Sequence, residues 1–103
     1  MRGPGPGALV GRALSASAAR DGFAVTVEER ACAAWHSATF SGERYTLALS
    51  APAGSATRAW LATIGVIDVP LPGHLLADLC VTREDELDGW CHAQVEALTV
   101  AQV

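Results

Sequence analysis

Tyr45, Leu47, Leu49 and Ala51 put apolar side chains at every second position, with Thr46, Ala48 and Ser50 between them. That period belongs to a strand with one buried face and one open face. A face of this kind must be covered by another layer, and that requirement organises the rest of the chain.

The segment ahead of it supplies a partner strand. Phe23, Val25 and Val27 alternate, and Cys32, Ala34, Ala38 and Phe40 alternate after them, but on even positions instead of odd. One extra residue near Glu28-Glu29-Arg30, a β-bulge, changes the parity without ending the strand. Ser41-Gly42 reads as a two-residue turn. It sets Phe40 against Glu43, and Ala38, His36, Ala34 and Cys32 against Tyr45, Leu47, Leu49 and Ala51. Before this hairpin, Met1–Gly7 reads as a flexible Gly/Pro lead. Residues 8–20 read as a helix with Leu9, Val10, Ala13, Leu14 and Ser17 at helical spacing, stopped by Asp21-Gly22.

The second half repeats this order. Pro52-Ala53-Gly54 ends the hairpin, and Ser55 is expected to cap a helix over 56–64 with Trp60, Leu61 and Ile64 as its stripe. Residues 66–73 carry Pro70 and Pro72 and read as an extended connection. Leu75, Ala77, Leu79 and Val81 form a third strand, Ala93, Val95 and Ala97 a fourth, joined by a loop over 85–89. Leu79 is then opposite Val95.

The expected fold is α+β, a two-layer sandwich in αββαββ order. Its four-stranded antiparallel sheet carries two helices on one face, and residues 8–103 form one domain. By fold-level analogy alone this is a ferredoxin-like arrangement in permuted order.

The opposite sheet face holds the candidate functional residues. This register places His74, Leu76, Asp78, Cys80 and Thr82 there, beside Trp90, His92, Gln94, Glu96 and Leu98. Trp35 joins them from the first hairpin. Asp78 faces Glu96 and His92 faces Thr82. Large apolar groups on an uncovered sheet point to burial by another chain. The leading reading is therefore a non-catalytic protein-interaction module, a homodimer joined through Trp35, Leu76, Trp90 and Leu98. The alternative is a small-molecule or metal-dependent enzyme. Two adjacent carboxylates repel and can form an acid/base pair, so Asp78, Glu96 and His92 are its candidate residues.

The other chemistry-bearing groups converge less well. Cys32, His36, Cys91 and His92 invite a zinc reading, but the alternation sends Cys32 and His36 to one face and His92 to the other, so no metal or other cofactor is expected. No serine sits in a Gly-x-Ser-x-Gly elbow, and Gly3-Pro4-Gly5-Pro6-Gly7 lacks the Lys of a phosphate loop.

Charge limits the partners. Net charge is −4, every cation is an arginine, and no asparagine occurs. Residues 1–51 hold five arginines against four acids, residues 52–103 two against seven. An acidic chain disfavours nucleic acid, while its acidic half fits a third reading, a chaperone or adaptor for a basic client. Heavy Ala, Gly, Val and Arg use points to a GC-rich bacterial source. Three irregularly spaced cysteines argue for a reducing cytoplasm, and no apolar run is long enough for a membrane span. The Arg-rich, acid-free residues 1–20 also fit a targeting segment, but Arg12 breaks the apolar run and the helix is the reading adopted.

Overall fold

A computed structural model describes residues 5–102. The elements run α1 (Pro6–Arg20), β1 (Thr26–His36), β2 (Ser41–Pro52), α2 (Ser55–Ala62), a 3₁₀ turn (Ile64–Val66), β3 (His74–Leu87) and β4 (Trp90–Ala101). The strands form one antiparallel sheet in the order β1-β2-β4-β3. The helices share the sheet face that carries Tyr45, Leu47, Leu49, Val95 and Ala97. This is the expected α+β sandwich. Its strand order agrees with the permuted ferredoxin-like arrangement, with β4 inserted between the parallel β2 and β3 of a split βαβ unit.

Most of the expected lead lies outside the described residues, but its end is helical: Pro6 opens α1, where a missing N–H costs nothing. Asp21-Gly22 stops the helix as expected. Gly22 takes φ 93°, its N–H donates to the Ala19 carbonyl, and the Phe23 N–H donates to the Ala18 carbonyl, which is a Schellman closure. Val10, Leu14 and Ala18 form the buried stripe. Gly7 lets the helix lie close to β2, since a Cβ there would press into the Tyr45 ring. In α2, Gly54 and not Ser55 holds the N-cap position, and no side chain caps it. Trp60, Leu61 and Ile64 face the core as their spacing requires. The Trp60 indole meets the Phe23 ring edge-on at 5.5 Å and donates to Ser17 Oγ at 2.9 Å, so one side chain ties α2 to α1.

The bulge in β1 falls where the parity change places it, between Glu29 and Ala31. The first turn does not fall on Ser41-Gly42. It spans Ser37–Phe40, with His36 opposite Ser41 and Cys32 opposite Tyr45 instead of Ala51. Ser37 supplies the reason: its hydroxyl accepts the Phe40 N–H at 2.9 Å, closing a turn of its own. Because the slip is an even number of residues, Cys32 and Tyr45 still share a face.

The second hairpin closes at Asp88-Gly89, not through the longer loop expected over 85–89. Both residues take positive φ, 52° and 80°, the combination that suits a two-residue hairpin turn. Two bulges in β3, between Leu76 and Asp78 and between Val81 and Arg83, reset its register. Leu79 therefore lies opposite Ala97, and Val81 opposite Val95.

Candidate functional site: the outer sheet face

The face away from the helices is uncovered among the described residues. Six rows of paired residues define it. From one end they are Trp35-Gly42-Val100-Leu75, Ala33-Arg44-Leu98-Asp78, Ala31-Thr46-Glu96-Cys80, Glu28-Ala48-Gln94-Arg83, Thr26-Ser50-His92-Asp85 and, at the far end, Pro52-Trp90-Leu87.

The first end is apolar. Phe40 and Leu75 are 58% and 55% exposed, and with Thr39, Ser41 and Val100 they line a notch of about 350 Å³. Trp35 lies on this face as expected, but only partly open. Its indole crosses Gly42 and donates to the Thr99 carbonyl at 3.1 Å. Leu98 is half-buried on the same face, and Trp90 stands at the opposite end, 50% exposed. Leu76 does not belong to the set. The bulge at Ala77 turns it to the helix side, where it sits opposite Thr99 and packs against the core. Leu75 takes its place outside. The same bulge moves His74 off the outer face, to a position opposite Ala101.

Of the three candidate acid–base residues, Asp78 and Glu96 are diagonal neighbours around Cys80, and His92 lies apart. Asp78 lies opposite Leu98, not Glu96, and Glu96 lies opposite Cys80. Glu96 is engaged by Arg44 at 3.6 Å. His92 lies opposite Asp85 instead of Thr82, with Nδ1 3.1 Å from Ser50 Oγ. Four strand residues, about 13 Å of chain, separate His92 from Glu96. Among the described residues, no three His, Cys, Asp or Glu side chains are placed to hold a metal ion. Thr82 and Gln94 bond to each other, Gln94 Nε2 donating to Thr82 Oγ1 at 3.3 Å.

The thiols are kept in their protonated form. Cys32 donates to Glu43 Oε2 at 2.8 Å, and that bond, with burial and the Glu43 charge, pushes its pKa up to about 11. Cys80 is raised by burial and then by the charges of Asp78 and Glu96 on either side. Cys91 is raised by burial and by Glu84 and Glu86. Tyr45 is also raised, by burial first and then by Glu43. Thiolate nucleophiles sit in electropositive surroundings, and these cysteines have the opposite.

The sequence reading put Phe40 and Leu75 on the buried side and did not single out Leu87 or Val100. The signal for Leu87 was the Asp88-Gly89 pair, which anchors β3 against β4 from the turn outward. Leu75 carried no such signal, because two bulges lie between it and that turn.

Comparison with protein-family models, curated proteins and solved structures finds no match for this chain. Among the described residues, no helix is long and apolar enough to cross a membrane.

Proposed function

We infer that the protein is a non-catalytic interaction module that self-associates through its outer sheet face. The observation that carries this reading is the apolar set at one end of an otherwise open sheet, exposed Phe40 and Leu75 beside partly exposed Trp35 and Val100. Size supports it. Four strands about 4.8 Å apart and about 40 Å long present about 800 Å², the area each partner contributes to a standard stable interface. The separation of His92 from Asp78 and Glu96, the Glu96–Arg44 ion pair and the thiols held protonated by acidic neighbours take support away from the enzymatic alternative.

Sedimentation equilibrium on the full chain tests the reading. The expected species has twice the 10.7 kDa chain mass. Leu75→Glu, which puts a charge on the apolar end without touching the core, should shift it to monomer while leaving the far-UV circular dichroism unchanged. A wild-type chain that stays monomeric at its highest soluble concentration would overturn the proposal.

A further inference from the structure

The outer face is divided by charge along a line parallel to its strands. The β1–β2 half carries Glu28, Arg30 and Arg44, and the β3–β4 half carries Asp78, Arg83, Asp85 and Glu96. Two pairs close locally within a half: Arg30 with Glu28 at 3.3 Å and Arg83 with Asp85 at 3.2 Å. What remains is one arginine and two acids. Arg44 reaches across to Glu96 at 3.6 Å with its side chain still 58% exposed, and Asp78 makes no ion pair among the described residues. Asp78 lies in the same row as Arg44 with Leu98 between them, two strand spacings or about 10 Å away.

Two-fold stacking of such a face has two simple solutions. With the axis across the strands, each half lies on itself, and Asp78 of one copy approaches Asp85 of the other. With the axis along the strands, each row lies on its own reverse. Arg44 then sits over Leu98 of the partner subunit, flanked by its Asp78 and Glu96, and Trp35 sits over the partner subunit's Leu75. The first solution joins the two apolar ends, Leu75 on Leu87 and Val100 on Trp90, and brings Arg83 beside Asp78 and Glu96, but it sets Asp78 against Asp85. The second opposes no like charges: Arg44 meets Asp78 and Glu96, Arg83 lies over the partner subunit's Glu28, and Trp35 lies over its Leu75.

We propose that two copies stack outer face to outer face about an axis parallel to the strands, with Arg44 of each bridging Asp78 and Glu96 of the other. This arrangement rests on the self-association inferred above, and it specifies which strands meet.

Bifunctional thiol cross-linking tests it separately from self-association. Cys32→Ser leaves Cys80 as the exposed thiol, since Cys91 is buried. In the proposed stack β3 lies over β1 of the partner subunit, so Cys80 sits over its Ala31, and the two Cys80 residues lie at opposite edges. Cys32→Ser alone should give no covalent dimer with a short bis-maleimide, whereas Cys32→Ser with Ala31→Cys should give one in high yield. Efficient cross-linking without Ala31→Cys would place β3 on β3 and overturn the arrangement. So would a chain that sediments as a dimer yet fails to cross-link with it. A chain that sediments as a monomer would overturn self-association itself. Arg44→Glu should weaken association about tenfold or more. Adding Asp78→Arg should restore it, because the reversed charges meet again across the interface. Failure of that rescue would also count against the Arg44 bridge.

Discussion

Gly42 occupies a position where a side chain has no room. A Cβ there would run into the Thr99 carbonyl and stand 3.0 Å from the Trp35 indole nitrogen. Backbone and indole cannot both retreat, because the indole is donating to that same carbonyl. Gly42→Ala should therefore cost about 2 kcal/mol through overpacking, read as a lower urea midpoint at unchanged slope. An unchanged midpoint would mean that β2 and β4 part easily at this end. Cys32 gives a second residue-scale test. Its pKa is raised from 9.0 to about 11, so the folded chain holds this proton more tightly than the unfolded chain does. The associated stability is complete below pH 9 and is lost as pH rises from 9 toward 11. The thermal midpoint should fall across that window and fall less in Cys32→Ala. Equal slopes in the two proteins would show that the Glu43 contact has no thermodynamic weight. Tyr45, raised by burial, adds its own loss at still higher pH in both proteins.

At the scale of elements, faces were easier to read than registers. The alternation of Tyr45, Leu47, Leu49 and Ala51 identified the buried side of β2, and all four are buried. The odd-to-even change in β1 revealed its bulge, because a parity change has few other causes. Register depends on turns, and there the reading failed twice. Gly42 suggested a turn but serves close packing, while the turn itself is built by the Ser37 hydroxyl, a weaker sequence signal. In β3 a bulge at Ala77 turned Leu76 inward and Leu75 outward, and two adjacent leucines, Leu75 and Leu76, gave no parity mark to read. The outer face was thus legible as an uncovered apolar surface, but not in all of its members. The turn that sets the second hairpin makes its own prediction. Gly89 holds φ 80°, a conformation that costs an L-residue about 1–2 kcal/mol. Gly89→Ala should lose about that much stability by urea denaturation. Gly89→Asn should lose less, since asparagine tolerates this region better. Equal losses would show that it is not the backbone angle that matters.

For the whole molecule, the covered and uncovered faces of one sheet imply different stabilities for one chain and for two. The helices bury Leu14, Leu47 and Val95 almost completely, so a folded single chain has a core. The outer face adds burial only when a second copy arrives, and that contribution follows mass action. If dimer dissociation and unfolding are coupled, the thermal midpoint should rise about 3 °C for each tenfold increase in chain concentration, given the enthalpy usual for chains of this size. Leu75→Glu should abolish the rise, because it charges the apolar end and leaves the core alone. Salt separates the contributions to association. Screening weakens exposed ion pairs but not apolar burial, so added sodium chloride should lower the wild-type midpoint at high concentration and leave that of Leu75→Glu nearly unchanged. A wild-type midpoint independent of concentration would mean that the open face contributes nothing to the stability of the assembly. The apolar set at its end would then need a partner other than a second copy of the chain.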